Sequence, residues 1–160
     1  MSPIKSFAVA VLLFGAACNK SEPAAPTPTV AQPLEQKLPA AQSPVVEDTT
    51  FKLALTSDAE YTAGSPGTLK LVLEARGGYH VNQDYPIKVQ VKAAGGVKLL
   101  KTDLGKADAA EFGEQKVRFD LPFTAETGAR EVSADVEFAV CTAETCVPDQ
   151  RTVAISLNVK

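Results

Sequence analysis

The sequence predicts an all-β fold, an immunoglobulin-like β-sandwich that follows an apolar leader and a proline-rich tether. Three observations carry this expectation. From Phe51 onward apolar residues recur at every second position, the period of a strand with one face on a core. Glycine-containing turn signals separate these runs. No stretch sustains helical spacing, and several short strands over about 110 residues suit two packed antiparallel sheets.

The first run is Phe51, Leu53 and Leu55, alternating with Lys52 and Ala54. Leu69, Leu71 and Leu73 come next, against Lys70, Val72 and Glu74. Ile87, Val89 and Val91 follow, with Lys88, Gln90 and Lys92 on the opposite face. Residues 102–114 are irregular and suit a turn of helix. Val117, Phe119 and Leu121 then alternate with Arg118 and Asp120. The longest run places Val132, Ala134, Val136, Phe138 and Val140 on one face, and the last does the same with Val153, Ile155, Leu157 and Val159. Turns are expected at Ala63-Gly64-Ser65-Pro66-Gly67, Gly77-Gly78, Gly95-Gly96 and Thr127-Gly128. The sequence contains no internal repeat.

Composition narrows the function. Among 160 residues, 16 Lys and Arg stand against 19 Asp and Glu, a net charge of -3. That balance lacks the cationic excess phosphate binding requires, so no nucleic-acid partner is expected. Hydrophobic residues make up 45% of the chain, enough for a core. No uninterrupted apolar run is long enough to predict a spanning helix.

The N-terminus has the shape of a signal peptide, with Lys5 before the apolar stretch Ser6 to Ala17. Gly15-Ala16-Ala17 directly before Cys18 resembles the lipobox of bacterial lipoproteins, in which the cysteine becomes the acylated first residue of the mature protein. Two or three acyl chains give a lasting membrane anchor. Asn19, rather than Asp, after the cysteine points to the outer membrane, so the expectation is a periplasm-facing lipoprotein of the cell envelope. Six of the eleven prolines fall between Glu22 and Val45. Such a segment is an extended tether at ~3 Å per residue, with a reach on the order of 50 to 80 Å. The expected organisation is therefore a signal peptide at 1–17, a tether at 18–46 and a β-sandwich at 47–160.

With Cys18 assigned to lipidation, Cys141 and Cys146 remain as a pair. They flank Thr142-Ala143-Glu144-Thr145 between the two longest apolar runs, the expected tip of a hairpin. Residues facing each other across antiparallel strands lie ~4.5 to 5.5 Å apart at Cα, within the ~4.4 to 6.8 Å a disulfide accepts. Strand parity turns both sulfurs away from the core, toward solvent, with Pro148 expected to interrupt the ladder. A loop this short contributes only about 2 kcal/mol of chain-entropy stabilisation, against ~3 for a 15-residue loop. Glu144 and Asp149 lie nearby, with Arg151 the nearest cation, and carboxylates tend to raise a thiol's pKa. Structural and redox roles both stand open at this level.

Three segments resemble the N-terminal periplasmic domain of the thiol:disulfide interchange protein DsbD, an immunoglobulin-like domain. Gly78-Tyr79-His80-Val81-Asn82 is similar to that family's Gly-Tyr-Tyr strand start. Glu111-Phe112-Gly113 resembles its acidic-Phe cap loop. Cys141 to Cys146, with Val147-Pro148 and the final strand, resembles its cysteine hairpin, with four residues between the cysteines where the family's best-known member has five. The resemblance implies thiol-disulfide exchange, as a component of protein-disulfide reduction, with Cys146 bonding the partner and Cys141 resolving the mixed disulfide. It implies Phe112 as the cap, with Glu111 and Tyr79 modulating. The sequence contains neither the transmembrane electron-transfer domain nor the thioredoxin-like domain of that family. The implied partners are thus thioredoxin-like periplasmic proteins or a separate membrane electron donor. No cofactor is implied.

Other readings compete. Cys141, Cys146 and the single His80 are ligand types suited to Cu(I), but the chain's one Met is the initiator. Zinc prefers four ligands where three are offered. A single His without a motif-borne nucleophile makes no hydrolytic triad. The main rival is a noncatalytic lipoprotein binding module whose hairpin disulfide stiffens one edge.

Overall fold

The computed structural model describes residues 43–57 and 60–160. The expected signal peptide, Cys18 and all but the last residues of the tether lie outside the described residues. Strands form where aliphatic and aromatic residues alternate with polar ones. In chain order they are β1 (Val45–Glu47), β2 (Phe51–Ser57), β3 (Gly67–Ala75), β4 (His80–Val81), β5 (Lys88–Ala93), β6 (Val97–Leu99) and β7 (Asp103–Gly105). A 3-10 turn at Lys106–Asp108 leads to β8 (Glu111–Phe112), β9 (Lys116–Ala125), β10 (Gly128–Cys141) and β11 (Cys146–Val159).

One sheet has the order β1-β2-β3-β9-β6, with β8 also on β9; the other runs β11-β10-β5-β7, with β4 also on β10. The described pairings between these strands are all antiparallel. β2-β3-β9-β6 facing β11-β10-β5 is the four-against-three arrangement of the immunoglobulin-like β-sandwich. The fold class expected from the sequence is therefore the observed one.

The core lies between the sheets. Phe51, Leu53 and Leu55 share one buried cluster with Phe138, Val136 and Ala134, and every residue assigned inward by alternation is buried except the half-buried Ile155. Phe51 and Phe138 pack edge to face at 4.8 Å between ring centroids, a geometry aromatic quadrupoles favour. At the far end Tyr61 and Phe123 do the same. Gly67 permits this contact, because a Cβ there would sit 2.6 Å from the Tyr61 ring.

Two local expectations are modified. β1 lies across the boundary drawn at 47: Val45 and Val46 pair with Ala54 and Leu53, and Val46 packs against the core. Pro148 does not interrupt the ladder; β11 runs through it opposite Ala139. The Thr142 N–H donates to the Thr145 carbonyl at 2.8 Å. Antiparallel pairs alternate between bonded and non-bonded, so Thr142/Thr145 is bonded and Ala139/Pro148 is not. The missing N–H of Pro148 thus faces away from β10, on an edge strand, where proline is tolerated.

Candidate functional site

The two cysteines close the end of the β10–β11 hairpin. Cys141 and Cys146 are direct register partners, with Cα atoms 4.0 Å apart, and are joined as a disulfide. The turn between them is held by the Thr142 hydroxyl, which accepts from the N–H groups of Glu144 (3.2 Å) and Thr145 (3.1 Å). This is the local hydrogen bonding by which threonine favours turns.

The sulfurs are not equivalent. Cys146 is exposed, as the parity argument expects, but Cys141 is only 2% exposed. Both Ala139 and Cys141 are buried while standing outside the core cluster, on the sheet's outer face. β4 pairs beside them, with His80 the register partner of Cys141, and Asn82 in the turn that follows bonds both the Ala139 carbonyl and the Cys141 sulfur. Accessibility of both sulfurs, inferred from alternation within one strand, is corrected by this second element.

The turn after β4 supplies the closest polar contact. Asn82 Nδ2 donates to Cys141 Sγ at 3.2 Å and to Cys146 Sγ at 3.5 Å. Asn82 Oδ1 accepts from the N–H groups of Asp84 (2.8 Å) and Tyr85 (3.0 Å), an Asx-type turn. The Asn82 N–H donates to the Ala139 carbonyl at 2.9 Å, and the neighbouring Val81 N–H to the Glu114 carbonyl at 2.7 Å. Two backbone donors on one side of the carboxamide require oxygen there, so the amide nitrogen must face the sulfurs. A polar concavity in front of the disulfide includes His80, Asn82, Asp84 and Glu114 in its lining.

The remaining expected residues lie around this site rather than in its lining. Glu111 and Phe112 pair with Arg118 and Val117 in β8 and β9; Glu111 is exposed, while Phe112 is half-buried against the core with Lys106 Nζ 4.8 Å from its ring centroid. Glu114, just beyond them, is the part of that segment that reaches the concavity. Tyr79 is half-buried and packs on the core margin, after the positive-φ glycines Gly77 (60°) and Gly78 (81°). A Cβ on Gly77 would stand 2.5 Å from the Thr49 carbonyl oxygen, so this approach to β4 needs glycine. Arg151 is turned to Asp149, at 2.9 Å, and to the Phe51 ring, at 5.7 Å. Among the described residues no three His, Cys, Asp or Glu side chains converge in a way that would hold a metal ion.

Asn82 and Glu114 are the site residues that the sequence reading missed as such. Asn82-Gln83-Asp84 after a short strand is a turn signal, but the contact with the sulfurs joins residues 59 positions apart.

The chain matches no protein-family profile and no curated protein. Among solved structures, similar ones include the GAE domain of GGA2p from Saccharomyces cerevisiae, at 11% identity over 69% of this chain and 95% of that one, with a TM-score of 0.44. Another is AggA, the major subunit of aggregative adherence fimbriae type I from Escherichia coli, at 12% identity over 72% and 98%, with a TM-score of 0.35.

Proposed function

We propose that this domain is a thiol-disulfide exchange module of the cell envelope, resembling the N-terminal domain of DsbD, that passes electrons between a redox partner and substrate proteins through Cys141 and Cys146. The asymmetry of the disulfide carries this reading: one cysteine is exposed at a hairpin tip and the other is buried beneath Asn82. An incoming thiolate reaches Cys146, and Cys141 is the leaving and resolving sulfur. Val147, 40% exposed beside Cys146, offers a docking partner an apolar contact. Tyr79, Glu111 and Phe112 flank the site without lining it, and Glu114 is the residue of that segment in the concavity.

The partners in this reading are thioredoxin-like periplasmic proteins or a separate membrane electron donor. Acylation of Cys18 would hold the domain at the membrane, with the Pro-rich tether setting its reach.

Trapping tests the assignment. In the Cys141→Ser chain, Cys146 is expected to accumulate a mixed disulfide with a thioredoxin-like protein, and the Cys146→Ser chain should trap at least tenfold less. Equal trapping by both variants refutes the assigned roles. No trapping by either favours the noncatalytic binding module.

A further inference from the structure

We infer that Asn82 is a further catalytic residue of this exchange: its carboxamide stabilises the thiolate that Cys141 becomes when the disulfide opens. The inference rests on the exchange reading of the cysteine pair and assigns a residue that the resemblance does not supply.

The steps define the need. A thiolate of a partner dithiol attacks Cys146 Sγ; a bond forms between those two sulfurs, the Cys141–Cys146 bond breaks, and its electron pair leaves on Cys141 Sγ. The partner's second thiolate then attacks its own sulfur in the mixed disulfide and releases Cys146 as thiolate. The partner is oxidised from dithiol to disulfide, and this domain is reduced from disulfide to dithiol, with protons exchanged with water. The first departing charge therefore appears on the sulfur of Cys141, a residue that is 2% exposed in the disulfide form. Burial disfavours that charge, and a low leaving-group pKa speeds exchange. A fixed hydrogen-bond donor is the remedy.

Asn82 has the geometry of such a donor. Its amide nitrogen is 3.2 Å from Cys141 Sγ, closer than to Cys146 Sγ at 3.5 Å. The residue is held by three backbone bonds, two onto Oδ1 and one from its own N–H to the strand that carries Cys141. The donor is thus in place before the charge develops and needs little reorganisation. Other titratable groups around Cys141 are His80, its register partner, and Asp84 and Glu114 in the concavity, with Glu144 in the hairpin turn. Two of the three lining groups are carboxylates and oppose a thiolate, which leaves the amide as the close neutral donor.

Two substitutions separate the sulfur contact from the turn. Asn82→Ser and Asn82→Asp both retain an oxygen for the Asp84 and Tyr85 N–H groups, and both withdraw the amide. The full chain carrying Cys18→Ser and Cys146→Ser, reduced with a phosphine, leaves Cys141 as the thiol whose ultraviolet thiolate absorbance is titrated. Asn82→Ser is expected to raise the Cys141 pKa by about one unit, a tenfold loss of thiolate, and Asn82→Asp to raise it further. In the chain with both cysteines and Cys18→Ser, Asn82→Ser should slow opening of the disulfide by dithiothreitol about three- to tenfold. An unchanged pKa in Asn82→Ser overturns the inference, including when Asn82→Asp alone shifts it, since that shift would be the new carboxylate's own repulsion. The titration does not depend on a protein partner. Failure of the unmodified pair to exchange with thioredoxin-like proteins would remove the exchange reading and still leave the effect of Asn82 on the thiolate measured.

Discussion

Reducing the disulfide without changing any residue tests how much of the fold depends on it. The bond closes a short loop, with a sequence separation of 5. Loop-closure entropy for so small a ring is worth about 2 kcal/mol. The strands it joins are already paired along 14 residues each, from Gly128/Val159 to Cys141/Cys146, and β10 is held on its other side by β5 and β4. Phosphine reduction is therefore expected to cost about 2 kcal/mol in urea unfolding and to lower Tm by about 6 to 12 °C. The far-ultraviolet signature of the sheets should persist. Amide exchange should accelerate at Thr142 to Thr145 and around Asn82, where the contacts depend on the sulfurs, and stay slow at Val132 to Val136 in the core. A loss of more than about 5 kcal/mol, or collapse of the sheet signal, would instead mark the bond as a staple on which folding depends.

Other perturbations have equally definite outcomes. Gly67→Ala brings a Cβ to 2.6 Å from Tyr61 and 2.9 Å from Phe123, so urea unfolding should show a loss of about 1 to 3 kcal/mol. Phe112→Ala should cost about 2 kcal/mol through lost packing, while alkylation of Cys146 in the reduced chain changes less than about twofold, because Phe112 is not in the concavity lining. Asp135 sits on the outer face of β10, where the Lys92 ammonium first and the Thr152 hydroxyl second hold its carboxyl below its usual value of 3.8. A lowered folded-state pKa means stabilisation that is present above 3.8 and lost as pH falls through the folded value. Asp135→Asn should therefore cost about 1 kcal/mol near neutral pH, and chemical unfolding across a pH series should show the difference vanishing in acid.

The long strands were legible in the sequence because each has one buried face. Leu53 and Leu55, Leu69 to Leu73, and Val132 to Val140 alternate over enough residues for period two to stand out. Gly77, Gly78 and Gly96 marked real turns, each with positive φ. The two-residue strands β4 and β8 carry no period at all, and their pairing is decided by neighbours from elsewhere in the chain. That is why the burial of Cys141 escaped a parity argument: within β10 the residue does alternate away from Val140, but β4 pairs beside it and the Asn82 side chain after β4 meets its sulfur. Pro148 misled for a related reason. Its harmlessness depends on the bonded or non-bonded phase of the hairpin, which the turn geometry sets. Asn82 was readable as a turn former and unreadable as a sulfur ligand, since its amide meets Cys141 only after β4 has docked on β10.

The proposed role of the hairpin disulfide as a switch is read from its reduction potential, measured by equilibrating the chain with Cys18→Ser against graded glutathione and thioredoxin buffers. A midpoint above about -300 mV, with Cys141 and Cys146 interconverting reversibly between dithiol and disulfide, is the predicted result. A pair that stays oxidised throughout, with a midpoint below that value, would contradict it.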